Sequence, residues 1–169
     1  KQLPDNQFEN WYKEATWDSN LIVTGGTSYA PTGWHTINDA TGGKNGSARD
    51  PNFVTEIKNS PRGGSCVQIK CISKFSVKAN GSLSTGRFNA GSMYPTNTTN
   101  CTYTTTNSGY NVPFNAYPDS IYVYTKTSLN SSSSQARFNV VIHNNVKSSG
   151  AKENSIYQDP PPTAANASV

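Results

Sequence analysis

Helical patterning is almost missing from this chain, and that limits its fold more than any other feature. Through most of its 169 residues, short runs of β-type residues alternate with turn formers. A run that alternates apolar and polar residues places one face on a core and the other in water, as a half-buried strand does. SIYVYTKT sets Ile121, Val123 and Thr125 on one face and Tyr122, Tyr124 and Lys126 on the other. RFNVVIH groups Phe138, Val140 and Ile142, and VQIKCI groups Val67, Ile69 and Cys71. These patterns predict strands at 21–24, 53–58, 66–75, 83–88, 120–127 and 137–143. Residues 5–17 alone could form a short helix, from the spacing of Phe8, Trp11, Tyr12 and Ala15, but their aromatics suit a strand or an entry loop equally. Many short strands divided by turn signals indicate an all-β sandwich.

Composition agrees. Hydrophobic residues make up 33 % of the chain and charged residues 14 %, while Asn, Ser and Thr fill about a third. Short polar side chains of this kind bond nearby backbone and favour turns and strand surfaces. Aromatics at 11 % argue against a disordered chain. The length suits one domain, read as residues 1–159, with a Pro/Ala/Asn-rich tail at 160–169. Long polar loops are expected at 41–49 and 97–109, with a hairpin turn in the serine run at 130–134.

The net charge of +4 is scattered, with no basic run longer than two residues, which excludes the concentrated footprint of a nucleic-acid binder. No stretch is apolar and long enough to span a bilayer. The chain reads as extracytoplasmic, either secreted or anchored at the cell surface after signal removal. The three cysteines, Cys66, Cys71 and Cys101, have neither the spacing nor the fourth donor of a zinc site. Cys66 and Cys71 fall in one predicted strand, on opposite faces, and so cannot bridge each other there.

At residues 81–88 the motifs become specific. GSLSTGRF, with Thr85, Gly86 and Phe88, is followed by Pro113 and Phe114, and then by Pro118 leading a strand with Tyr122, Tyr124 and Lys126. The opening segments FENWY and PTGWHTIND contribute Phe8, Glu9, Trp11, Gly33 and Trp34. Over roughly residues 8–145, this order of pieces resembles the carbohydrate metabolism domain family, exported proteins of gut-type Gram-negative bacteria. The resemblance implies a jelly-roll β-sandwich of two antiparallel sheets, galactose-binding-like, with a link to glycans. It also implies that Trp11 and Trp34 belong to the core. Members of that family close with a strand carrying an Asp and alternating aliphatics. This chain ends in PPPTAANASV, so either a final strand is missing or the likeness stops there.

No catalytic residue is assigned. The ten carboxylates fall in no acid/base motif, although Glu56 could face a groove, and glycoside hydrolysis needs two across one cleft. Gly-x-Ser-x-Gly and Cys/His motifs are absent, and His35 and His143 read as structural or exposed. No cofactor is expected, apart from a structural calcium of the kind such modules carry. Asp39, Asn45 and Asp50 offer oxygens, but in no recognised loop spacing. Loop aromatics are the better lead. A sugar ring stacks its C–H face on an aromatic plane while its hydroxyls bond Asn, Asp or Arg. Among Trp11, Trp17, Trp34, Tyr94, Tyr103, Tyr110 and Tyr117, the ligand-binding candidates are Tyr94, Tyr103 and Tyr110, joined by Arg87. The reading is a non-catalytic glycan-binding module associated with carbohydrate uptake or degradation. Its alternatives are a structural or adhesion module with a cell-surface protein partner and, third, a carbohydrate-active hydrolase.

Overall fold

A computed structural model describes residues 3–19, 23–38, 49–74, 77–90, 92, 94, 97, 100–105, 108–113, 118–129, 131, 134–142 and 155–158. Among them the regular structure is almost all strand, with a single 3-10 turn at Ser108–Tyr110 as its helical content. The strands are β1 (Trp11–Trp17), β2 (Gly26–Pro31), β3 (His35–Thr36), β4 (Val54–Ile57), β5 (Cys66–Ile69), β6 (Ile72–Lys74), β7 (Val77–Ala79), β8 (Leu83–Ser84), β9 (Arg87–Ala90), β10 (Asn100–Thr105) and β11 (Ser155–Gln158). They form small antiparallel sheets that stay open: β1-β2, β3-β8, β4-β5, β6-β7 and the three-stranded β11-β10-β9.

The ambiguous segment 5–17 resolves as a turn followed by a strand. Asp5 holds the turn, its carboxylate accepting from the Glu9 and Asn10 amides at 3.1 and 2.9 Å. Phe8 then meets Trp34 edge-on at 5.6 Å, and the Trp34 indole donates to the Pro4 carbonyl at 2.6 Å. The two opening motifs thus pack on one another.

The core is small and partly polar. Trp17, Val23, Ala30, Phe53, Val54, Phe88, Cys101 and Tyr103 are buried, and so are Ser28, Thr36, Asn38, Asn89 and Thr105. Each buried polar group needs a partner, because an orphan costs roughly 1–3 kcal/mol. Asn38 shows how this is met. Its side chain pairs with both backbone groups of Val54, accepting from the amide at 2.9 Å and donating to the carbonyl at 2.8 Å. An amide side chain therefore completes the free edge of β4.

Several expectations need correction. The segment 97–109, read as a polar loop, contains β10, whose Cys101, Tyr103 and Thr105 turn inward in strict alternation. The predicted strand 66–75 breaks into β5 and β6, and 83–88 divides into β8 and β9. Ile69 is exposed and Val67 half-buried, so that face covers no core. The described residues of 120–127 and 137–142 contain no strand, and Ile121, Val123, Phe138, Val140 and Ile142 are all exposed. Their period is that of strands, but a strand forms only where a neighbour takes its backbone groups. Between these segments Ser131 and Ser134 close a turn, amide to carbonyl at 3.2 Å. Near the C-terminal end of the described residues, β11 pairs with β10. Leu21, Ile22, Phe75, Phe114, Tyr117, His143, the loop 41–48 and the tail 160–169 lie outside the described residues.

Cys66 lies in β5, Cys71 is exposed beyond it, and Cys101 is buried in β10. No helix among the described residues is long and apolar enough to cross a membrane.

Candidate functional site

Two features stand on opposite faces of the β1-β2 pair, and both begin with the register of β1. Lys13 pairs with Tyr29 and Ala15 with Ser28, so Glu14 is the extra residue of a bulge. A bulge re-aims a side chain, and here it sends the Glu14 carboxylate inward. Thr36 donates to it twice, from its amide at 2.9 Å and its hydroxyl at 2.5 Å, and the Ser28 hydroxyl donates at 2.9 Å. His35 Nδ1 stands 3.4 Å away. Burial alone would push the Glu14 carboxyl up; the bonds from His35, Thr36 and Ser28 outweigh it and hold the group below its usual value. His35 Nε2 donates to the Gly109 carbonyl at 2.6 Å, and its ring lies on Tyr110 at 4.4 Å. The Tyr12 hydroxyl reaches the Trp34 carbonyl at 3.1 Å and His35 Nδ1 at 3.2 Å. Burial, with the nearby Glu14 and Tyr110, pushes the Tyr12 phenol far above its ordinary value. This network ties β1, β2, β3 and the 3-10 turn together. Its Ser, Glu and His do not make a nucleophile relay, because Ser28 is buried and bonds the carboxylate rather than the imidazole.

Three of the four predicted ligand residues join the edge of this network. Arg87 and Tyr103 are register partners across β9 and β10, and the Arg87 guanidinium lies 5.4 Å over the Tyr110 ring. Tyr103 is buried, and burial raises its phenol while Arg87 pulls it back. Gly86 explains its place in the Thr-Gly-x-Phe motif: a Cβ there would stand 2.8 Å from the Tyr103 carbonyl, so only glycine lets β9 approach β10. Tyr94 is separate, 69 % exposed, with its carbonyl accepting from the Asn100 side chain at 2.8 Å.

The other face carries an open groove of about 240 Å³, lined by Trp11, Thr27, Tyr29, Pro51, Val54, Thr55 and Glu56. Trp11 is half-buried, its indole donating to the Phe8 carbonyl at 2.8 Å, and Tyr29 is 53 % exposed. Two aromatics, two threonines and one carboxylate thus converge on a cavity. Sequence reasoning raised Glu56 as a groove residue, assigned Trp11 to the core, and missed Thr27, Tyr29 and Thr55. The available signal was the exposed face of an alternating strand, GTSYAP, which is too short to stand out by itself.

Behind the groove, Ser65 joins two acids. Its hydroxyl donates to Glu56 at 2.8 Å and its amide to Glu9 at 2.9 Å. The carboxylates meet through one serine and do not oppose each other across the groove, which only Glu56 lines. Glycine makes this possible. Gly64 has φ +67, and a Cβ there would overlap the Glu9 carboxylate, whereas Gly63 at φ +84 faces open space. Gly64→Ala and Gly63→Ala are each expected to cost about 1–2 kcal/mol in urea unfolding, from the left-handed backbone, because the exposed Glu9 carboxylate ends a flexible side chain that can swing aside.

No group of three metal-ligating side chains exists among the described residues. Asp50 instead caps its own turn, accepting from Asn52 at 2.9 and 2.8 Å. Asp39 and Asn45 lie outside the described residues.

Comparisons with protein-family models, with curated proteins and with solved structures each found no match to this chain.

Proposed function

We propose that this chain is a non-catalytic glycan-binding module of an extracytoplasmic protein, a jelly-roll-type domain serving carbohydrate uptake or degradation. The observation that carries this reading is the groove at Trp11 and Tyr29. A pyranose has an apolar C–H face and a rim of hydroxyls. Trp11 and Tyr29 supply aromatic surface for the first, and Thr27, Thr55 and Glu56 supply donors and acceptors for the second. Such a mixture of apolar walls and a few convergent polar groups is the usual make-up of a small-ligand site. The resemblance to a glycan-linked family points the same way.

The test is binding to a glycan library, followed by calorimetry on any ligand found. Tyr29→Ala is expected to weaken binding roughly tenfold through loss of ring contact. Because Tyr29 is exposed, it should leave the unfolding curve in place. Trp11→Ala should do at least as much. Wild-type affinity in both variants would sink the reading.

A second reading, a structural or adhesion module, draws on the strand-patterned segments 120–127 and 137–142, whose described apolar residues are exposed and could face another chain. Concentration-dependent self-association in sedimentation would favour it.

A further inference from the structure

We infer that this groove ranks sugars by charge, taking a single cationic amino sugar best, a neutral pyranose next, and a sugar acid worst. The inference rests on the glycan-binding reading above and adds the ligand class. Size comes first. At about 240 Å³ the groove falls below the roughly 300–1,000 Å³ of sites for drug-sized ligands, so it accepts one ring and not a long oligosaccharide. Charge comes second. Glu56 is the one charged residue among those lining the cavity. Its Oε1 is fixed by the Ser65 hydroxyl, and that same serine holds the Glu9 carboxylate through its amide. One negative charge, that of Glu56, is therefore fixed in the lining of the site, and Glu9 lies outside that lining. Lys13, exposed and paired across the strands with Tyr29, does not line the cavity. Nor does Arg49, which lies 5.7 Å over the Trp17 ring.

A uronic acid seated on Trp11 and Tyr29 would bring a second carboxylate against Glu56. An ammonium in the same place would pair with Glu56 and meet the ring faces of Trp11 and Tyr29, the two surfaces that attract cations. Neutral sugars gain neither effect and suffer neither.

The experiment uses methyl pyranosides of the gluco, galacto and manno series. Each is taken as the parent sugar, the 2-amino-2-deoxy sugar at a pH where its amine is protonated, and the uronate, and is titrated into the wild-type chain by NMR. In whichever series binds, the uronate should be about tenfold weaker than the parent, from like-charge repulsion at a partly screened site. The amino sugar should be several-fold tighter. Glu56→Gln keeps an acceptor for Ser65 and should bring all three within about twofold. As a measurement that needs no variant, raising the salt to about 1 M should shrink the wild-type ranking. Uronates bound as well as parent sugars, or a ranking unchanged by both Glu56→Gln and salt, would overturn the inference and leave the glycan reading standing. Failure of every sugar in every series to bind would overturn both.

Discussion

Asn38→Ala is expected to be the most damaging single substitution in this chain, costing roughly 3–5 kcal/mol. The Asn38 side chain is fully buried and takes both backbone groups of Val54, itself buried. Alanine leaves a donor and an acceptor without partners in a place water does not reach. Each such orphan costs about 1–3 kcal/mol, and a small cavity adds to that. In a domain whose whole margin is about 5–15 kcal/mol, this should lower the urea midpoint sharply. Because Asn38 holds β4 in place, the variant should also loosen the wall of the groove formed by Val54, Thr55 and Glu56. A loss below about 1 kcal/mol would mean that the strand edge is held by something else.

Glu14→Gln comes second, at roughly 2–4 kcal/mol near neutral pH. The carboxylate collects three donors from Thr36 and Ser28 in a setting where its side chain is 9 % exposed. An amide offers one acceptor and turns its own donors on Ser28 or Thr36. The pH dependence gives a sharper check. The folded-state pKa is depressed below the ordinary 4.5, so the folded chain binds the proton less readily than the unfolded one. The stabilisation is thus fully present above pH 4.5 and is lost as the pH falls through the lower folded value. The stability gap between wild type and Glu14→Gln should close as the pH falls below 4.5. A gap that widened below that pH would contradict the hydrogen-bonded carboxylate described for Glu14.

How much of this was legible in the sequence depended on whether a signal was local. All-β character showed in the turn residues and in the alternation of VTEI and CVQI, and β4 and β5 lie where expected. The meeting of the two opening motifs, at Phe8 and Trp34, was not legible, because the 25 positions between them carry no pairing signal. β10 was hidden by its Thr and Asn content. Its cue was present nonetheless, since Thr is β-branched and Cys101, Tyr103 and Thr105 recur at period two. Segments 120–127 and 137–142 failed in the opposite direction, with an ideal pattern and no strand partner among the described residues. Arg87, Tyr103 and Tyr110 converge as a set, because Arg87 and Tyr103 share a cross-strand pair. The bulge at Glu14 was illegible: a register shift belongs to two strands at once, and no single strand shows it.

The proposed function places a sugar in the Trp11–Tyr29 groove. The chain has three tryptophans, and their indole groups bond in three different places: Trp11 to the Phe8 carbonyl, Trp17 to the Thr24 carbonyl and Trp34 to the Pro4 carbonyl. Indole N–H resonances therefore act as three built-in reporters. On titration with a bound monosaccharide, the Trp11 signal is expected to shift in a saturable manner while those of Trp17 and Trp34 stay put, and Tyr29→Ala is expected to reduce the shift at equal sugar concentration. Saturable shifts at Trp34 with Trp11 unmoved would place the ligand elsewhere and contradict it.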